Sequence, residues 1–276
     1  MSKRNVFFHV HVRKCGGSTF HDQILSRIFQ SAFVRDSSLI DDQYGREQVT
    51  EILSNCPWLL AYSSHKISLD LPYDSDLARP IAVAFVRDPI QRFCSHYRYV
   101  NQHQRSWDPT AQRHSLDEYT HLAIEEGWLN TQRHLSQLSQ LCGARGQSGF
   151  ERVQQVASSD QVLLFPVERF DDACVVLERL FPQELGDCRY AQKINQTRPG
   201  ANLSEECHRR LQQAIEPEEF ELTRWAGEQL DLLLARLFTS PSQYTKALVE
   251  FKKKCETATR AKNAPKQNRW KFWRKS

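Results

Sequence analysis

Apolar residues along this chain recur with two periods. Val6 to Val12 (VFFHVHV), Trp58 to Ser63 (WLLAYS), Ile81 to Val86 (IAVAFV) and Gln161 to Val167 (QVLLFPV) are short β-rich runs and predict strands. The third is apolar without interruption, as a strand covered on both faces would be. Pro166 marks the end of the fourth run, or a sheet edge. Between the runs the period lengthens to that of a helix. Phe20, Ile24, Ile28 and Phe29 form one stripe, and Ile90, Phe93, Cys94 and Tyr97 another. Leu116 to Leu141, broken near Gly127, Phe170 to Phe181, Leu203 to Ile215 and Glu218 to Phe238 also read as helices. Ser18 or Thr19 can cap the first, with Asp22 in its opening turn. Asp88 and Pro89 suit the cap and first position of the second. Strands alternating with helices predict an α/β fold with a central parallel sheet flanked by helices. Ligands in such sheets bind at the carboxyl ends of the strands, the edge where Lys14, His65 and Arg87 fall.

Composition changes this picture little. The 276 residues, 40% of them hydrophobic, suffice for one large domain, expected over 1–250. Charge is uneven: residues 251–276 carry ten Lys or Arg and one Glu, whereas the body is mildly acidic. These residues are expected to form a flexible basic tail containing Trp270, Phe272 and Trp273, open to membrane contact but more simply a solvated terminus. The eight cysteines show neither CxxC pairs nor zinc-type spacing, which suits reduced thiols in a cytoplasmic protein. No run reaches the length needed to span a bilayer.

Three places carry candidate chemistry. Lys14-Cys15-Gly16-Gly17-Ser18-Thr19 follows a strand and opens a helix. Backbone N–H groups of such a turn approach an anion closely, and the helix terminus adds partial positive charge. The lysine precedes the glycines, so the loop is not of the GxxxxGK[ST] type, and an ordinary capped turn is the competing reading. Arg87, at the end of a buried strand, with Ser95 in the next helix, could bind a phosphate; pairing of Arg87 with a carboxylate is the alternative. His65 follows a strand and could act as a general base. His9 and His11 share one strand face and mimic a metal pair. The sequence places no third ligand beside them, so no metal is expected.

Together these segments resemble the PAPS-dependent carbohydrate sulfotransferases, in the branch containing heparan sulfate 2-O-sulfotransferase. PAPS is 3′-phosphoadenosine 5′-phosphosulfate. Phe7 to Thr19 resembles the family's 5′-phosphosulfate loop, and Phe85 to Tyr97 its 3′-phosphate motif. Looser similarity lies at Leu129 to Leu135, at Leu163 to Leu180 and at Ile194 to Thr197. Arg13 stands where the family usually has Pro, Cys15 where it has Thr or Ala, and Ser64 before His65 where it often has Gly. The resemblance implies a phosphate-loop-like three-layer fold and in-line transfer of a sulfuryl group from PAPS, without a metal, to a hydroxyl of a glycan. It implies that Lys14 bonds the bridging oxygen and that the loop from Lys14 through Cys15, Gly16, Gly17, Ser18 and Thr19 holds the 5′-phosphate. Arg87 and Ser95 would then clamp the 3′-phosphate, and His65 would take the acceptor proton. Trp107 with Arg98, Arg105 and Arg113 would attract an anionic acceptor. Nucleic acid is not an expected partner. Members of the family are commonly anchored in the Golgi; a cytoplasmic location is expected unless an anchor exists outside this sequence. A nucleotide-dependent phosphoryl transferase and a polyanion-binding protein are the rival readings.

Overall fold

The computed structural model describes residues 3–37, 43–103, 108–132, 135–192 and 202–263. Five strands form one parallel sheet in the order β2-β3-β1-β4-β5: β1 Asn5–Val10, β2 Phe33–Asp36, β3 Ala61–Ser64, β4 Arg79–Val86 and β5 Val162–Pro166. The apolar run of β4 is buried from Pro80 to Val86, as expected of a strand covered on both faces. Pro166 ends β5, an edge strand where the missing N–H breaks no ladder. Side chains alternate across β1. Phe7 meets Phe29 and Phe181 at 5.6 and 5.0 Å between ring centroids, whereas Phe8, on the opposite face, meets Tyr62 at 6.1 Å. Apolar side chains thus cover the sheet on both faces, giving the three-layer α/β architecture expected.

After β1 the chain enters a helix of mixed pitch, α1, built from Gly17–Thr19, a π-helical segment Phe20–Leu25 and Ser26–Phe29. Its N-cap is Gly16 and no side chain caps it, so the expected Ser18 or Thr19 cap does not form. Helix α2, Arg46–Asn55, leads into β3. Asp88 does cap α3, Pro89–His103: its Oδ1 accepts from the Gln91 amide at 2.8 Å. The long stretch expected to be helical from Leu116 to Leu141 divides at Gly127 (φ +66°). It gives α5, Leu116–Glu125, and α6, Trp128–Thr131, before α7, Gln137–Cys142; a short α4, Pro109–Arg113, precedes them. Helix α8, Gly146–Ala157, runs into β5, and α9, Phe170–Leu180, α10, Glu205–Ala214, and α11, Pro217–Leu237, follow.

A last helix, α12, Pro241–Asn263, passes through the expected start of the tail and buries Phe251 in the main core. Residues 264–276, with Trp270, Phe272 and Trp273, lie outside the described residues, as do Arg105, Trp107, Arg133 and Ile194 to Thr197. Ile90, Phe93 and Val100 of α3 pack with Leu116, Tyr119, Leu129 and Leu211 into a second, helical core. Among the described residues no helix is long and apolar enough to cross a membrane.

Candidate active site

The connections leaving β1 and β4 run in opposite directions. From β1 the chain goes through α1 toward β2; from β4 it goes through α3 toward β5. Neighbouring strands whose connections diverge leave a crevice at their carboxyl ends. Val10 pairs with Ala84 across this point, and the loops that follow carry Lys14 and Arg87. The Arg87 guanidinium reaches the loop after β1 and donates from Nη1 to the Lys14 carbonyl at 3.4 Å. The two cationic residues are therefore neighbours at the ends of β1 and β4.

The loop owes its shape to three unusual positions. Lys14 has φ +66°, a conformation costly for a side chain with a Cβ. Gly16 has φ +76°, and a Cβ there would lie 2.5 Å from Val167 Cγ2. At Gly17 a Cβ would lie 2.2 Å from His11 Cδ2 and 2.8 Å from His9 Cε1. Both glycines are thus required by packing below the loop. Lys14 Nζ stands 3.8 Å from the centre of the Tyr99 ring. Burial, then the nearby Arg87 charge, lower the Lys14 ammonium from its usual range to about 8. Among the described residues Arg87 pairs through Nε with Glu168 at 3.9 Å, the carboxylate pairing the sequence left open, and this buried Nε makes no hydrogen bond. Two cations held this close have the chemistry to attract a polyvalent anion.

Cys15 faces the other way. Its thiol is buried against Gln137 Oε1 at 3.4 Å and the Arg13 carbonyl at 3.6 Å, and burial pushes it up to about 12. Any contribution of Cys15 to anion binding is left to its backbone. Ser95 is buried in α3, the helix that also carries Tyr99. His65 follows β3, stacked on His11 with ring centroids 4.0 Å apart. Its Nδ1–H donates to the His11 carbonyl at 2.6 Å, which leaves Nε2 as the basic nitrogen. Burial, then the Arg13 charge, lower its pKa to about 4, so the ring is neutral at pH 7.

Two features escaped the sequence reading. The first is α7. Gln137 Oε1 accepts from the Arg87 amide, and its Nε2 donates to the Arg87 carbonyl, both at 2.8 Å. Gln140 Oε1 accepts from the Arg13 amide at 2.9 Å. Buried Glu219 of α11 in turn accepts from Ser136 Oγ and from the amides of Gln137 and Leu138. One short helix thus fastens both the Arg87 backbone and the start of the loop after β1. In the sequence these glutamines are ordinary polar residues inside a helical stretch, and nothing local distinguishes them. The second is His21. The sequence places no third ligand beside His9 and His11, but the π-helical turn of α1 brings His21 close to both.

The chain was compared with known proteins. No curated protein matches its sequence. Among solved structures, a sulfotransferase from Alicyclobacillus acidocaldarius is similar, with 16% identity, a TM-score of 0.46, and coverage of 79% of this chain and 94% of that one. The model of the Sulfotransferase family matches residues 1–179, a span that takes in the whole sheet, the loop after β1 and Arg87. This chain therefore belongs to the Sulfotransferase family.

Proposed function

We propose that the chain transfers a sulfuryl group from PAPS to a hydroxyl group of a carbohydrate by in-line displacement. The observation that supports this donor is the junction of Lys14 and Arg87 at the β1–β4 crevice, where Arg87 Nη1 meets the Lys14 carbonyl at 3.4 Å. A donor with phosphates at both ends of one ribose needs two adjoining cationic subsites. The amides from Gly16 to Thr19, at the opening of α1, would hold the 5′-phosphate. Lys14 would donate to the oxygen that bridges sulfur and phosphorus, where charge grows as the S–O bond breaks. Arg87 and Ser95 would grip the 3′-phosphate. His65 would accept the proton of the attacking hydroxyl at Nε2, with its ring oriented by the His11 carbonyl. The carbohydrate acceptor rests on the resemblance to the branch containing heparan sulfate 2-O-sulfotransferase. The eight cysteines are all free, which supports a reducing compartment such as the cytoplasm.

A thermal-shift titration tests the donor. Adenosine 3′,5′-bisphosphate should stabilise the protein at concentrations where ADP does not, and Arg87→Ala should erase the difference. Equal stabilisation by the two nucleotides would point instead to a phosphoryl transferase. Sulfate transfer from radiolabelled PAPS to desulfated glycans, with Lys14→Ala as the inactive control, tests the reaction.

A further inference from the structure

His9 and His11 stand on one face of the strand end, two residues apart, and their rings stack at 5.0 Å. His21 packs edge-on against His11 at 4.8 Å and lies 6.0 Å from His9. One ring nitrogen from each comes within 4.8 Å of the other two, the one such group of three among the described residues. We propose that these three imidazoles form a binding site for a single divalent ion of the zinc class.

Imidazole nitrogen is a preferred donor for zinc, at about 2.0–2.1 Å, so the nitrogens of a tetrahedral site lie roughly 3.3 Å apart. Closing the group from 4.8 Å requires movements of under about 1 Å per ring, within reach of small side-chain rotations. His9 and His21 are almost wholly buried, at 1% exposure each, so packing already gathers them beside His11.

The surroundings supply the oxygens that metal-bound histidines use to fix their rings. Ser63 Oγ lies 2.8 Å from His9 Nδ1 and 3.4 Å from His21 Nδ1. Asp22 Oδ1 lies 3.1 Å from His21 Nε2 and is itself held by Arg35 at 2.9 Å. Ser63 thus engages one nitrogen of His9 and leaves its other to the ion, whereas His21 has an oxygen near each nitrogen and would exchange one of them for the ion. Magnesium, which prefers oxygen donors, would find none of its usual ligands among these imidazoles. The chemistry of the donors therefore selects a transition-series ion over the alkaline-earth ions.

The placement gives such an ion a definite effect. His9 and His11 precede the anion-binding loop and His21 follows it, so one ion would tie both flanks of the loop together. The role is one of positioning, apart from the transfer chemistry.

The test uses the full chain without a polyhistidine tag, stripped with a chelator. Calorimetric titration with Zn2+ should show one equivalent per chain, and Co2+ should produce the visible bands of a low-symmetry site. Mg2+ should produce neither. His21→Asn should weaken Zn2+ binding by at least about 100-fold, and Ser63→Ala by roughly 10-fold, the range typical of lost ring-orienting partners. Should His21→Asn fail to give a cooperative melt without metal, His11→Asn replaces it. A stripped, folded wild-type chain that takes up no stoichiometric Zn2+ would overturn the proposal. So would folded His21→Asn and His11→Asn variants that bind the ion as tightly as the parent.

Discussion

Replacing Lys14 by methionine should stabilise the folded protein while ending turnover. In the fold the ammonium has its pKa lowered from 10.5 to about 8, first by burial and then by Arg87. A drop of ~2.5 units at 1.36 kcal/mol per unit means that keeping Lys14 charged costs the fold ~3.4 kcal/mol. Methionine removes that cost but also removes the cation held 3.8 Å from the Tyr99 ring, a contact worth about 1 kcal/mol. The expected net gain at pH 7 is therefore about 2 kcal/mol. The sign with pH follows from linkage. A lysine whose folded pKa is depressed is charged in both states below pH 8, where the full cost applies. From about 8 to 10.5 the unfolded chain holds the proton more tightly than the folded one, so wild-type stability recovers relative to the variant. Urea denaturation of both proteins at pH 7 and pH 10 reads this directly. Methionine at this position giving equal or lower stability at pH 7, or a gap that does not narrow by pH 10, would refute the reasoning.

Other outcomes follow from the same contacts. The value of kcat/KM for sulfate transfer should fall as pH rises through about 8, since the free enzyme then loses the Lys14 proton; a profile flat to pH 9.5 would remove Lys14 from the acid role. Gln137→Leu strips partners from both the amide and the carbonyl of Arg87, although Thr223 Oγ1 still reaches that carbonyl at 3.0 Å. It should cost on the order of 2–4 kcal/mol in urea unfolding, and a loss under 1 kcal/mol would show that the bridge is incidental. Gly17→Ala drives a methyl group into the His9 and His11 rings and should destabilise the protein by roughly 1–3 kcal/mol, measured as a fall in the urea midpoint. Arg87→Ala should raise the dissociation constant for adenosine 3′,5′-bisphosphate at least about 10-fold by calorimetry while leaving the melting temperature of the free protein little changed.

The sheet was legible where each residue's neighbours in sequence are also its neighbours in space. The all-apolar Ile81 to Val86 run, the strand–glycine–helix order around Gly16, and the Asp88-Pro89 cap each carry their structure locally. Strand β2 was not legible, because Phe33–Asp36 is a four-residue edge strand with an exposed arginine and too short for any period to show. Helices α2 and α8 were missed because their sequences, REQVTEILSN and GQSGFERVQQVA, carry few apolar positions. The cap at Ser18 or Thr19 was misjudged because Gly16, with its positive φ, starts the helix earlier than hydroxyl chemistry suggests. At the site, Lys14 and Arg87 were recognisable as strand-end cations. Their junction depends on Gln137, whose partners Cys15, Arg87 and Glu219 lie 50 or more residues away in the chain, and no local pattern encodes such a tie.

The burial of Phe251 limits how the carboxyl terminus can be engineered. Halfway along α12 this ring enters the main core, and further on Lys254 pairs with Glu178 while Thr259 donates to the Ala191 carbonyl. Ala191 is in turn fastened to Gln23 of α1, the helix that opens at Gly17 after the Lys14 loop. A chain cut at residue 250 would therefore lose a clasp reaching back toward the loop after β1 as well as its basic terminus, and any change in polyanion affinity would be mixed with partial unfolding. Cutting after Asn263 removes the Trp270 to Trp273 segment and spares the clasp, so that is where a truncation or an affinity tag belongs.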